Sequence, residues 1–201
     1  MNLLLALALL SFARADNPAP AFPDACRREC ESPFGTVLGT TKDHIESYSN
    51  CNAKCVFANP TFVDKVFVGI EWQCVEFARR WLIKEKGLTF ESIDVAADLW
   101  NKITHLVGVK TKEPKPLTKH VNGAATLPAE GDLLVYAREY QGTGHVAIVL
   151  SVNRAQKLIF LGEQNFENLP WKHDFARAIS YVSRGGRYWL LDSYLLGWMS
   201  Y

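Results

Sequence analysis

Between Trp72 and Leu82 the apolar positions Val75, Ala78, Trp81 and Leu82 fall at three- and four-residue steps. That spacing predicts a helix with one face on a core, ended by Gly87. A second set, Ala96, Leu99, Trp100, Ile103 and Leu106, predicts a helix over 95–107, ended by Gly108. From Gly131 the period drops to two. Asp132–Tyr136, Gly144–Val152 and Leu158–Asn165 read as an antiparallel meander, with Trp189–Leu191 and Gly197–Met199 as added edge strands. Upstream, Pro33–Gly39 reads as a short strand and Asn50–Ala58 as a helical turn. Residues 110–128, with Pro114, Pro116, Pro128 and several lysines, read as a surface connection. Helices first and sheet afterwards give the α+β class.

The 201 residues fit one domain with its own core. The first fifteen stand apart. Leu3 to Phe12 is a short apolar run, and Ala13-Arg14-Ala15 is a small-x-small cleavage pattern before Asp16. Residues 1–15 are therefore expected to be a secretory signal, because the run is too short for the roughly 20 residues that span a bilayer. Residues 16–31 form a loose arm in which Pro18, Pro20 and Pro23 precede Cys26. Loss of residues 1–15 removes Arg14 alone among charged side chains and leaves acids and bases equal in number. Such a neutral chain has no electrostatic footprint for nucleic acid or an anionic membrane. No later stretch is long and apolar enough to be a transmembrane segment.

Cysteine usage agrees with export. Cys26 and Cys30 are four apart, as are Cys51 and Cys55. Two such helical segments packed antiparallel could close nested bridges, Cys26 with Cys55 and Cys30 with Cys51, among three connectivities. A four-thiolate zinc site is the competing arrangement; the oxidising route favours disulfides. Either way Cys74 is left over.

Cys74 stands at the leading end of the first predicted helix. There, unpaired backbone N–H groups and the positive end of the dipole favour the thiolate, the nucleophilic form. The meander supplies a base. A turn near Asn153-Arg154-Ala155-Gln156 pairs residue 152 with 157 or 158, which sets His145 opposite the Glu163–Asn165 segment. A carboxylate or amide there would fix the imidazole tautomer and leave the other ring nitrogen for the thiol. His44, His105, His120 and His173 lack matching partners, and Arg79-Arg80 read as solvated charge, with Arg79 near enough to Cys74 to border a cleft.

Trp72-Gln73-Cys74-Val75-Glu76-Phe77-Ala78-Arg79-Arg80, Gly144-His145-Val146-Ala147-Ile148, Glu163-Gln164-Asn165 and Leu196-Gly197-Trp198-Met199 occur in that order. Together with Pro33-Phe34-Gly35-Thr36 they closely resemble CHAP-domain cysteine amidases, in the branch of the amidase domain of glutathionylspermidine and trypanothione synthetases. The resemblance covers residues 32–201. It implies a papain-like fold, with Cys74 as nucleophile, His145 as general base and acid and Glu163 as its orienter. It further implies that Gln73 and Asn165 border the oxyanion site or position the catalytic groups, and that Arg79 contacts substrate. No metal or other cofactor is required. The expected partner is a small-molecule or peptide amide, either a glutathionylspermidine-like conjugate or a peptidoglycan-type peptide, met by a monomer outside the cell or in the secretory lumen. A secreted CHAP-fold binding module without turnover is the alternative.

Overall fold

The computed structural model describes residues 20–201, so the expected signal at 1–15 and the first residues of the arm lie outside the described residues. After a 3-10 turn at Asp24–Cys26 come the strands β1 (Val37–Thr40), β2 (Glu46–Tyr48), β3 (Pro60–Val63) and β4 (Val66–Ile70). They form two antiparallel hairpins. Asp64 and Lys65, at φ 48° and 67°, make the tight turn of the second. Among the described residues these strands precede any α-helix, which corrects the expectation of helices first. Val63, Val66 and Val68 are β-branched and favour pleated pairing over a helical turn. Residues 50–58 hold no helix either, only turns closed by their own side chains.

Helix α1 (Cys74–Lys86) follows. Gly87, at φ 63°, caps it by donating to Ile83 and Leu82 carbonyls, and Lys84 and Lys86 face the negative end of the dipole. Every residue from Cys74 to Ile83 is buried, so α1 runs through the core rather than lying along it. The short β5 (Leu88–Thr89) leads to a 3-10 turn and to α2 (Leu99–Lys102), then to β6 (His105–Gly108), β7 (Pro114–Pro116) and β8 (Thr118–Val121). The predicted helix over 95–107 thus stops at Lys102. The spacing of Ala96, Leu99, Ile103 and Leu106 fits a helix, yet Leu106 and Gly108 are buried alternately on a strand paired with β5 and β7. The lysine-rich connection is exposed as expected, but Pro114–Pro116 and Thr118–Val121 pair as strands within it.

The main sheet has seven antiparallel strands. Besides β8 it contains β9 (Leu133–Tyr136), β10 (His145–Asn153), β11 (Leu158–Gly162), β12 (Arg177–Arg184), β13 (Arg187–Leu190) and β14 (Leu195–Ser200), in the order β13-β12-β11-β10-β9-β14-β8. Period-two alternation splits it cleanly. Leu133, Val135, Val146 and Ile148 face Phe77, Ala78, Trp81 and Leu82 of α1. Leu134, Tyr136, Ala147, Val149, Leu161 and Trp198 pack on the opposite face. The sheet curls around that second core until its ends meet. Asn122 Nδ2 donates to Leu190 O at 3.0 Å and Asn122 Oδ1 accepts from Leu190 N at 2.8 Å, while Tyr188 N donates to Ala124 O. The outer edge of β13 is therefore covered by the segment leaving β8. Of the two strands expected at an edge, β13 is one, but β14 lies between β9 and β8.

Two disulfides, Cys26–Cys55 and Cys30–Cys51, join the start of the described chain to the 51–55 turn. Their nested pairing is as the spacing allows, without the helices, and it excludes the four-thiolate zinc arrangement. Among the described residues no helix is long and apolar enough to cross a membrane.

Candidate active site

Gln73 has extended backbone, φ −87° and ψ 157°, and Cys74 begins α1 directly after it. The first N–H groups of a helix lack internal partners, so the Cys74 amide is available to an incoming oxygen. Cys74 is the free cysteine, buried at the mouth of a cleft of about 340 Å³ lined also by Val56, Phe67, Ile93 and Thr143.

His145 is the first residue of β10 and is 1% exposed. Gly144 before it has φ 71°, and a Cβ there would lie 2.6 Å from Tyr136 O, so glycine is required to bring the strand in. The pairing sum along β10 and β11 is one residue longer than expected near the turn. An irregularity between Val149 and Ser151 removes the excess, and Ile148 pairs with Gly162. Beyond that point the strands part, and Glu163 turns inward. His145 Nε2 stands 2.8 Å from Glu163 Oε2. With Nε2 engaged, Nδ1 is the ring atom left for Cys74. Tyr136, Tyr140 and Phe166 surround the imidazole, their centroids 5.3–5.8 Å from its own.

Burial alone would lower the His145 pKa. The hydrogen bond and charge of Cys74, joined by those of Glu163, outweigh it and raise it to about 9. Burial alone would likewise raise Glu163, but the Arg177 guanidinium and His145 hold it below the ordinary carboxylate value. At neutral pH the imidazole is thus protonated between two groups that favour the cation.

Glu163 is held from behind. Arg177 Nε reaches Glu163 Oε1 at 2.5 Å, and Arg177 Nη1 reaches Asp192 Oδ2 at 2.6 Å. The Tyr136 hydroxyl donates to Asp192 Oδ2 at 2.7 Å and accepts from Arg177 Nη2 at 2.9 Å. Arg177 Cζ also lies over the Phe166 ring, 4.0 Å from its centroid. Neither Arg177 nor Asp192 carried a signal in the sequence, because they sit on β12 and the β13–β14 connection, remote from every motif.

Gln73 and Asn165 meet: Asn165 Nδ2 donates to Gln73 Oε1 at 2.9 Å. Gln73 Nε2 donates to Asn50 Oδ1 at 3.1 Å and to Cys55 O at 3.2 Å, so both its amide hydrogens are committed away from the cleft. Asn50 N in turn donates to Asn168 Oδ1. The disulfide-bonded turn, the helix start and the segment after Glu163 are locked together by these amides.

Arg79 and Arg80 are both buried, not solvated. Arg80 pairs with Glu76 at 2.6 Å, and Gln164 bridges the pair, donating to Glu76 Oε2 and accepting from Arg80 Nη2. Among the described residues Arg79 has no such acid, and its Nη1 has no partner. Its Nε donates to Thr89 Oγ1 at 3.4 Å, and burial lowers its pKa. It lies between the rings of Phe67 and Phe90, each 5.7 Å away, and lines a second hollow of about 420 Å³ with Thr89, Lys102 and Thr104. The chain from Thr89 to Asp94 runs from that hollow to the Cys74 cleft. Among the remaining histidines, His44, His105 and His173 are exposed, and His120 bonds Ser200 and stacks on Trp198.

A buried cysteine on a helix N-terminus, beside a strand histidine bonded to a buried carboxylate, makes a candidate thiol–imidazole site on an α+β fold. The CHAP domain family matches residues 65–165, about half of the chain and the segment that carries all three groups, and the chain belongs to that family. It is similar to the bifunctional glutathionylspermidine synthetase/amidase of Escherichia coli K12, 31% identical over 186 residues, 84% of this chain and 29% of that protein. It is also similar to two proteins of Crithidia fasciculata. Trypanothione synthetase is 28% identical over 177 residues, 84% of this chain and 27% of the relative. Glutathionylspermidine synthase is 29% identical over 196 residues, 87% and 27% of the two chains. The chain therefore spans less than a third of the length of these relatives.

Proposed function

We propose that the protein is a secreted thiol amidohydrolase with a papain-like arrangement of its site. The observation that carries this reading is His145, buried between Cys74 and Glu163 and raised to about 9 by both. The Cys74 thiolate attacks an amide carbonyl carbon and forms the C–S bond. The N–H of Cys74 receives the developing oxyanion. The His145 imidazolium gives its proton to the amine nitrogen as the C–N bond breaks. Neutral His145 then takes a proton from water, whose oxygen attacks the thioester and releases the acid and the thiolate. Glu163 orients His145 and stays ionised. Gln73 and Asn165 act as positioning groups, since the Gln73 amide is already fully bonded.

Arg79 points to an acidic substrate. A buried guanidinium with an unbonded nitrogen is costly unless a ligand anion completes it. The acyl part of a glutathionylspermidine-type conjugate meets that need, and it is the first substrate by likeness to the bacterial synthetase/amidase. The nested disulfides fit export through residues 1–15, which would also bring cell-wall stem peptides, themselves carboxylate-bearing, within reach. The test is mass-detected hydrolysis of glutathionylspermidine and of peptidoglycan fragments, with Cys74→Ala as control. Turnover of either, lost in the variant, supports the reading and identifies the substrate class. No turnover, with Cys74 inert to iodoacetamide, would leave a binding module.

A further inference from the structure

We infer that Arg177, anchored by Asp192 and Tyr136, is a positioning residue that fixes Glu163 in the orientation from which it holds His145 toward Cys74. The inference rests on the thiol amidohydrolase reading and extends the site by three residues that it does not use. Three observations carry it. Glu163 is 3% exposed, and its two oxygens divide their work: Oε2 meets His145 Nε2 and Oε1 meets Arg177 Nε. A buried carboxylate with one occupied oxygen would be free to rotate about its last torsion, a broad and weakly held one. The guanidinium removes that freedom, because its Nη2 also lies 3.4 Å from Oε2 and makes the contact two-pronged.

Arg177 is itself immobilised on every side. Asp192 takes Nη1, the Tyr136 hydroxyl takes Nη2, and Phe166 lies beneath the plane. Burial pushes the Tyr136 pKa well above its ordinary value, so its hydroxyl keeps the proton that it donates to Asp192. Tyr136 and Phe166 also flank the imidazole. The same side chains therefore pack His145 and hold the arginine that orients its partner. Asp192 and Glu163 together balance more than the one charge of Arg177, so the cluster keeps a negative side toward His145. A lysine in place of Arg177 would supply the charge without the planar fork.

The test compares the wild-type chain with Arg177→Met, Arg177→Lys and Asp192→Asn, each checked for folding by circular dichroism. Two readouts are taken: kcat and KM on glutathionylspermidine, and the rate of Cys74 alkylation by iodoacetamide at neutral pH. For Arg177→Met the expected result is a ~10- to 100-fold loss in kcat with KM changed by less than ~3-fold. Alkylation should slow in parallel, because a turned Glu163 no longer holds the imidazolium against the thiolate. Arg177→Lys should recover part of both, and Asp192→Asn should lose a few-fold of each. Folded Arg177→Met with wild-type alkylation overturns the inference, whether or not turnover changes, since a group acting on substrate alone would spare the thiol. Should Arg177→Met fail to fold, Asp192→Asn decides: unchanged alkylation overturns, a few-fold loss sustains. If the wild-type chain turns over no amide at all, the function reading fails while the alkylation series still judges Arg177.

Discussion

The side-chain amide of Gln73 donates to the carbonyl oxygen of Cys55 at 3.2 Å, which seats the residue before Cys74 directly on a disulfide-bonded turn. The same turn offers Asn50 Oδ1 to Trp72 N and to Gln73 Nε2. The disulfides and the site geometry are thus joined by a few amide hydrogen bonds. Removing the outer bridge with Cys26→Ala and Cys55→Ala leaves Cys30–Cys51 to hold most of the loop, and the expected cost is about 2–3 kcal/mol. Urea unfolding measures it, and hydrogen exchange at the Gln73 and Cys74 amides should quicken. An unchanged urea midpoint would mean that the turn is held by its side chains alone.

The pH dependence follows from His145. Its folded value of about 9 lies above the ordinary 6.5. Protonated His145 therefore stabilises the fold fully below pH 6.5, and that contribution fades as pH rises through about 9. The imidazolium is also the proton donor to the leaving amine, so turnover should fall on the alkaline side near pH 9. A pH–rate profile with its alkaline limb near 6.5 would contradict the three-group arrangement.

Glu163→Gln keeps the shape and removes the charge. The neutral amide supports the imidazolium poorly and leaves Arg177 facing Asp192 alone. We expect a ~10²- to 10⁴-fold fall in kcat. The His145 titration, followed by proton NMR of the imidazole, should move down. A kcat within threefold of wild type would remove Glu163 from the mechanism.

Adjacent arginines should behave in opposite ways. Arg80→Met strands Glu76, which is wholly buried, and should cost about 3–5 kcal/mol in urea unfolding. Arg79→Met strands nothing, because no acid among the described residues pairs with it, and should leave stability equal or higher. It should instead raise KM for an acidic amide by ~10- to 100-fold. Equal destabilisation by both variants would show that Arg79 has a structural partner.

What could be read from the chain was local. Cys74 on a helix start and His145 on a strand are each specified within one element by a period of 3.6 or 2 and by the glycine that bounds it. Glu163 followed from counting across one turn, and the irregularity beside Leu150 absorbed the error in the count. The second helix was misjudged because Leu106 fits both the helical step from Ile103 and the strand alternation with Gly108, and pairing with β5 and β7 decided for the strand. The burial of Arg79 and Arg80 was hidden for a different reason. Charge reads as exposure until the acid or the gap opposite it is known, and Gln164, which completes the Arg80 pair, lies 84 residues away. Arg177 and Asp192 were invisible on the same ground: Arg177 reaches Glu163 because it pairs opposite Leu161 on the neighbouring strand, and Asp192 joins it from the β13–β14 connection.

The curl of the sheet has a bearing on how one copy meets another. The segment from Asn122 to Ala124 occupies the backbone groups of Tyr188 and Leu190 that an edge strand would otherwise present. A bare edge is a template on which a second chain can add a strand and begin a fibril. The molecule has sealed that template with one asparagine and the short run after it, so that a second copy meets groups already bonded rather than a strand waiting for a partner.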